Sequence, residues 1–429
     1  MEKMKNSGIE WIGDIPEGWK VSRIKYIADI RSENGVFNPE INQYIGLENI
    51  KSYSNEIITT GTEYQISFQS KCFKNDVMFS RLRPYLAKVL ISPFDGFCTG
   101  ELLQFYNFSG DKKYLYYLLL NPVFIDIVNA STYGAKMPRA NTDFILNQYF
   151  PLPPPETQKR IADFLDEKCV KIDGLKNDIQ KQIETLEQYK KSVITEAVTK
   201  GINPNAKMKD SGIDDVGQIP ESWEEKKIKF LFDLVNDQNH LPMDKVQLLS
   251  LYTELGVFPH GEQEERGNKA VTVEGYKKVK KNDLVVNIIL AWMGAMGISN
   301  YDGVTSPAYD IYRPKSENAN PKYYHYLFRT PWFAGECDKY GRGIMRMRWR
   351  TYSQEFMNIK IPYPSVEEQK QIADYLDEKC SSIDSIISTK KHQLEKLEEY
   401  KKSLIFEYVT GKREVSCEFP SETSEKKGI

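Results

Sequence analysis

Basic side chains set among glycines and aromatics are the residues of this sequence best suited to chemistry, and that chemistry is recognition of a polyanion. The run Lys-Tyr-Gly-Arg-Gly-Ile-Met-Arg-Met-Arg-Trp-Arg holds Lys339, Arg342, Arg346, Arg348 and Arg350 and no acid. A guanidinium fits both phosphate and the O6/N7 edge of guanine, whereas Asn and Gln fit adenine. Neighbouring glycines allow the backbone to approach closely. A second basic set lies earlier in the chain. There Arg81, Arg83 and Lys88 flank Pro84-Tyr85, and Lys136 and Arg139 bracket Met137-Pro138 after Gly134. The later run reads as a nucleic-acid contact, with a solvated basic loop as the alternative. Arg346, Arg348 and Arg350 also fit one face of a strand, with Met347 and Trp349 turned inward; in either case the arginines share a surface.

Groups for covalent chemistry do not form a pattern. The sequence has no Gly-x-x-x-x-Gly-Lys-Ser/Thr loop, no Gly-x-Ser-x-Gly elbow and no His-Glu-x-x-His. Asn121-Pro-Val-Phe124 lacks the second proline of the Asn-Pro-Pro-Tyr/Phe loop of adenine methyltransferases and has no glycine-rich loop upstream, so it reads as a helix stop. His240, His260, His325 and His392 show no ligand spacing, and the six cysteines contain no Cys-x-x-Cys. We therefore expect no catalytic residue and no metal. Cys169 and Cys380 sit at matching helix positions, as reduced thiols of a cytosolic protein do. The net charge of −2 over 429 residues leaves any polyanion to local patches. The N-terminus has no apolar leader core, and the longest apolar run, 285–298, is interrupted by Asn287 and too short for a bilayer. A soluble, cytoplasmic protein is expected.

The elements that must position these basic groups come in two copies. Gln158-Lys-Arg-Ile-Ala-Asp-Phe-Leu-Asp-Glu-Lys-Cys169 returns as Gln369-Lys-Gln-Ile-Ala-Asp-Tyr-Leu-Asp-Glu-Lys-Cys380. Leu186-Glu-Gln-Tyr-Lys-Lys-Ser192 returns as Leu397-Glu-Glu-Tyr-Lys-Lys-Ser403, and Ser7-Gly-Ile-Glu-Trp-Ile-Gly-Asp-Ile-Pro-Glu-Gly-Trp19 as Ser211-Gly-Ile-Asp-Asp-Val-Gly-Gln-Ile-Pro-Glu-Ser-Trp223. A period of about 210 residues is too long for a solenoid and fits two copies of a whole domain, each ending in a long helix. Between the matching ends the copies diverge: Arg81-Leu-Arg-Pro-Tyr85 stands where the second copy has Ile288-Ile-Leu-Ala-Trp292. Two domains recognising two different things have this pattern; neutral drift after duplication also produces it.

Each helix has a start in Pro153-Pro-Pro155 or Pro362-Tyr-Pro364, acid in its first turn, and a stop at Gly201 or Gly411. Ile172, Leu175, Ile179, Gln182, Leu186, Tyr189 and Val193 follow a heptad spacing, matched by Ile383, Ile386, Lys390, Gln393, Leu397, Tyr400 and Leu404. A helix of about 42 residues is roughly 60 Å long, and its apolar stripe needs a cover. Antiparallel pairing of the two helices is expected, giving a pseudo-twofold dumbbell; packing on the preceding domain, or against a separate protein, is the alternative. The regions between mix apolar and aromatic runs with Gly, Pro and Asn turns, which reads as α+β with several strands. Lys74-Asn-Asp-Val77 pairs with Lys281-Asn-Asp-Leu284, and Asp95-Gly96 with Asp302-Gly303; these read as turns of a shared scaffold.

The repeated Ser-Gly-Ile opening, the Leu152-Pro-Pro entry, the Ile-Ala-Asp-Phe-Leu-Asp helices and the closing Val-Thr-Lys-Gly resemble the specificity subunits of Type I restriction-modification systems. The resemblance covers nearly the whole chain, with Ile361-Pro-Tyr-Pro364 a small departure. It implies an α+β internal duplication of two globular α/β target-recognition domains, 1–155 and 201–365. Each is followed by a conserved spacer helix, 156–200 and 366–412, with a tail at 413–429. It also implies a non-catalytic chain that reads an asymmetric, bipartite double-stranded DNA site. Two methyltransferase subunits and, through them, restriction subunits are the implied partners, and no membrane. S-adenosylmethionine, ATP and magnesium then belong to those partners. A methylation-only or Type II specificity chain is a near alternative, and a coiled-coil scaffold joining two protein-binding domains a distant one.

Overall fold

A computed structural model describes residues 3–253, 255–261, 272–343 and 349–415. The fold is α+β and duplicated, and its contacts divide it into two compact units: residues 1–180 with 392–429, and residues 181–391. The units do not follow the linear order domain, helix, domain, helix. Each takes the first part of one long helix and the last part of the other, so the buried stripe on each helix is shared between two units.

In unit one, a four-stranded antiparallel sheet runs in the order Asp29–Ile30, Leu102–Tyr106, Val77–Ser80, Val89–Ile91. All four residues of Val77–Ser80 are buried. Helix α1 (Lys112–Leu120) packs here, and from Tyr114 to Leu120 it is buried all round; a helix with no polar face has to sit inside a core. Asp111 caps it by accepting from the amides of Lys113 and Tyr114. The Asn121 side chain then accepts from the Val123 amide, with Pro122 opening helix α2 (Pro122–Ala130). The Asn-Pro-Val-Phe sequence is thus a helix stop and restart, as its composition indicates. Helix α3 (Thr142–Leu146) leads into Tyr149–Leu152, paired with Lys20–Arg23. A second sheet, Asn34–Phe37, Ser67–Cys72, Gly96–Cys98 and Tyr44–Ile45, lies in the same unit.

Helix α4 spans Pro155–Lys200, 46 residues. Unit two repeats the scaffold, with a sheet ordered Phe232–Val235, Tyr309–Pro314, Leu284–Asn287, Met296–Ile298. Helices α5 (Pro321–Phe328), α6 (Pro331–Lys339) and α7 (Ser353–Asn358) follow, then α8 (Val366–Val409), 44 residues. Among the described residues, the counterpart of the second sheet of unit one is two separate strand pairs, Leu249–Tyr252 with Gly256–Pro259 and Lys277–Val279 with Gly303–Thr305.

The repeated motifs are joints of the scaffold. In unit one the Gln158 carboxamide accepts from the Asp111 amide and donates to the Pro153 carbonyl; in unit two Gln369 accepts from Asn320 and donates to Pro364. Tyr117 and Tyr326 donate to Asp166 and Asp377, the second aspartates of the repeated Asp-x-Leu-Asp. Asn75 and Asn282 adopt left-handed φ of 71° and 74°. Asp76 and Asp283 then cap the same turn and hold Arg31 and Arg313 through both carboxylate oxygens. The two arginines come from different places: Arg31 follows the strand Asp29–Ile30, whereas Arg313 lies within Tyr309–Pro314.

The helix seam differs from the expected one by one position. In unit one, Leu165, Cys169, Ile172, Lys176 and Ile179 of α4 carry the inward stripe, with Leu394, Leu397, Lys401, Leu404 and Tyr408 of α8. In unit two the stripe is Ile183, Leu186, Lys190, Val193 and Ala197, with Leu376, Cys380, Ile383, Ile387 and Lys390. The expected seam residues Ile172, Ile179, Leu186, Val193, Ile383, Leu397 and Leu404 keep their place, as does Lys390. Leu175 and Tyr189 are 53% and 55% exposed and Ile386 and Tyr400 are 44% and 51% exposed, so they lie outside it, as do Gln182 and Gln393. The reason is that lysines occupy seam positions: their stems pack and their ammonium groups reach acceptors on the other helix, acids for Lys176, Lys190 and Lys401 and the Gln182 carboxamide for Lys390. Lys176 meets Glu398, and Lys401 holds both oxygens of Asp173 at 2.8 and 2.6 Å, in unit one. Lys190 does the same to Asp384 in unit two, at 2.7 and 2.6 Å. Within each unit the partner number falls as the α4 number rises, so the helices run antiparallel.

Candidate nucleic-acid interface

In unit one the fold brings Arg81, Arg83, Lys136 and Arg139 together although they are far apart in sequence. Arg81 leaves the buried strand Val77–Ser80, donating its amide to Glu101 and accepting from Ala140 at 2.9 Å. Leu82 bridges to Arg139, and the Arg83 amide donates to Pro138. Arg83 and Ala87 sit in the left-handed region around a single helical turn, Pro84–Leu86, which lifts Tyr85 into solvent. The 133–139 loop closes on itself through reciprocal bonds between Tyr133 and Arg139, and the Arg83 guanidinium donates to the Lys136 carbonyl. Tyr133, Lys136 and Met137 are exposed.

The electrostatic centre of this surface is Glu101, which the basic pattern does not reveal. Its two oxygens take Arg139 Nε at 2.9 and 3.1 Å and Nη2 at 2.6 Å, and Arg81 Nε lies 3.4 Å away. The carboxylate raises the pKa of Arg139. Lys88 departs from this group. Its ammonium donates to the Leu47 carbonyl at 2.5 Å, and burial lowers its pKa, so the side chain is taken up by the fold.

Unit two builds the same pair of loops. Thr351 donates to the Ile288 carbonyl at 2.9 Å, as Ala140 does to Arg81, and Arg342 and Arg350 exchange backbone bonds as Tyr133 and Arg139 do. A single turn, Ala291–Met293, exposes Met293; Tyr340 and Tyr352 are also exposed. Arg342 lies 3.4 Å from Glu355. Lys339, at the end of α6, instead grips Asp215 and the buried Glu336 at 2.7 Å each, and Asp215 chiefly raises its pKa. It holds the loop rather than projecting from it. Arg346 and Arg348, like Met347, lie outside the described residues.

Among the described residues no group of His, Cys, Asp or Glu could hold a metal ion. No helix among the described residues is long and apolar enough to cross a membrane.

The model of the Type I restriction modification DNA specificity domain matches this chain twice, at residues 16–185 and 220–399. The MjaVIII specificity subunit of Methanocaldococcus jannaschii is 29% identical over 320 residues, 70% of each chain. The MjaX specificity subunit of the same organism, described as putative, is 26% identical over 431 residues, 94% of this chain and 95% of its own. The Escherichia coli EcoBI specificity subunit is 25% identical over 297 residues, 64% of this chain and 60% of its own. Among solved structures, a chain from work on the complex assembly and conformational transition of a type I R-M system superposes with a TM-score of 0.67 at 16% identity. The match covers 92% of this chain and 98% of that one. The HsdS subunit from Thermoanaerobacter tengcongensis superposes at 0.50, again at 16% identity and with the same coverage. With two specificity domains on a duplicated α+β scaffold, the chain belongs to the specificity subunits of Type I restriction-modification systems.

Proposed function

We propose that the chain reads a split, asymmetric double-stranded DNA site and performs no chemistry itself. Residues 1–155 read one half and 201–365 the other; the helical segments 156–200 and 366–412 space the halves and dock partners, and 413–429 is a tail. The observation that carries this reading is the pair of loops built alike on both scaffolds but furnished differently. The backbone joint is 2.9 Å long in both, yet one loop presents Arg81, Arg83 and Tyr85 where the other presents Ile288 to Trp292. A common frame with unlike contact residues suits unlike half-sites. Arg342 and Arg350 belong to the second reading surface, and the DNA contacts expected of Arg346 and Arg348 rest on their place in the sequence. Lys88 and Lys339 support the loops from behind.

Partner docking rests on the outward positions of the helices. Leu175 and Tyr400 lie in unit one, and their duplicates Ile386 and Tyr189 in unit two, all exposed. Two equivalent apolar and aromatic patches suit two copies of one partner, here the methyltransferase subunits, with restriction subunits joining through them. Those subunits bind S-adenosylmethionine, ATP and magnesium in the cytoplasm, and methylation and cleavage take place there.

Sequencing the methylated adenines of cells that express this chain with its methyltransferase tests the reading. The expected result is one split motif with two different halves and a fixed gap. A complex that assembles but marks no preferred sequence rejects it in favour of a protein-binding scaffold.

A further inference from the structure

We infer that Arg139 reads a guanine in the half-site of the first domain, and that Glu101 is the positioning residue that aims it. This rests on the DNA-reading role proposed above. The Glu101 carboxylate occupies Nε and one N–H of Nη2 of Arg139. A guanidinium has five N–H donors in a fixed plane, so its outer edge keeps two parallel donors, on Nη1 and Nη2. That edge matches the O6 and N7 acceptors of guanine; adenine places an amino donor there instead and repels it.

The mounting is rigid on both sides. The Arg139 backbone exchanges two hydrogen bonds with Tyr133, at 3.0 and 3.1 Å, and Glu101 accepts the Arg81 amide through its own carbonyl at 3.0 Å. A long side chain fixed before binding loses less conformational freedom on contact. A phosphate contact needs charge rather than direction. Here Glu101 offsets the charge of Arg139 and leaves its donor directions intact, which favours a base edge. Tyr85, Tyr133 and Met137, exposed on the same pair of loops, give the arginine an accessible setting.

Among the described residues, the second domain does not repeat the device at the corresponding positions. Strand pairing places Leu102 opposite Ser80 and Tyr309 opposite Asn287, so the position preceding each, Glu101, corresponds to Ala308. Arg81 corresponds to Ile288. An arginine remains in the second domain at Arg350, without the acid.

The test is binding of the assembled methyltransferase complex to duplexes carrying the mapped motif, with each guanine of the first half-site replaced in turn by 7-deazaguanine, which lacks N7. At one guanine the replacement weakens wild-type binding and leaves R139A unaffected. R139A itself loses about 5- to 150-fold in affinity for the cognate site, the range of one good bidentate base contact, and accepts other bases at that position only. E101Q, equal in volume, relaxes the same position to a smaller degree, and R139K does not restore it. The second half-site stays unchanged in all three. The inference is overturned if wild type tolerates 7-deazaguanine throughout the half-site, if R139A weakens cognate and scrambled duplexes alike with a shallower salt dependence, or if E101Q discriminates like wild type. A wild-type complex with no sequence preference overturns the DNA-reading role and this inference with it.

Discussion

Lys401 and Lys190 stand at the same point of two copies of one helix, yet their surroundings make them unequal. The Lys401 side chain is 3% exposed, gripping Asp173 and the Tyr53 carbonyl; that of Lys190 is 27% exposed and its Asp384 partner 56%. Removing one member of a buried pair strands the other charge at about 3–5 kcal/mol, whereas an exposed pair contributes at most about 1 kcal/mol. Denaturant titration should therefore show K401A destabilised several-fold more than K190A, with much of the K401A loss recovered in the double variant K401L/D173L. Equal losses for the two lysines contradict the argument. His325 makes a pH prediction. Burial first, then Arg329, lowers its pKa from 6.5 to about 4. The unfolded chain then binds the extra proton between those values, so the contribution is complete above about 6.5 and disappears as pH falls towards about 4. The loss is on the order of 3 kcal/mol. The melting temperature of H325Q should fall less than that of wild type over this window, and parallel curves exclude the effect. The basic cluster was legible residue by residue, but its acid was not: Glu101 and Arg139 are joined only by the strand ends and loops that bring them together.

At the scale of elements, the long helices could be read from their repeats and end signals, and their seam only in part. Ile172, Ile179, Leu186 and Val193 belong to two possible heptad registers. The intervening positions decide, and apolar character points to Leu175 and Tyr189, whereas the fold uses Lys176, Ile183 and Lys190. A lysine in a seam is favourable only when an acid or another hydrogen-bond acceptor faces it, and the identity of the facing residue is a property of the pair that no single-helix pattern contains. The two registers predict different losses. Ile183 is buried at 3% exposure, so I183A should cost about 2–5 kcal/mol, while L175A should alter stability by less than about 0.5 kcal/mol. Thermal melts of the two variants check this, and a larger loss in L175A restores the other register. L175A and Y400A, harmless to the fold, should instead weaken the methyltransferase complex when its assembly is measured by light scattering.

At the scale of the molecule, a net charge of −2 cannot draw the chain to DNA, so affinity and specificity must both arise from local surfaces belonging to separate bodies. Each body has its own principal core: one cluster runs from Ile12 through Ile172 and returns at Leu404 to Val409, and another runs from Ala197 to Leu376. The joints to the helices are the residues that repeat in sequence. In unit one Trp19 lies against Gly411, and in unit two Trp223 lies against Gly201. Tyr114 and Tyr323 donate to the Val409 and Val198 carbonyls. An insert that keeps its own copies of these joints and brings its own interior should thus dock on the same helices without disturbing the other core. Replacing residues 211–360 with the equivalent region of another specificity subunit should change one half of the methylated motif. The other half and the fold of unit one should stay as they were. Mutations that keep the insert but break a joint, such as Y323F, should lower stability without changing either half, because they touch the mounting and not the reading surface. Methylome sequencing of the chimaera decides between independent and coupled reading: if both halves change, the two surfaces recognise DNA as one, and the duplication has lost its modular character.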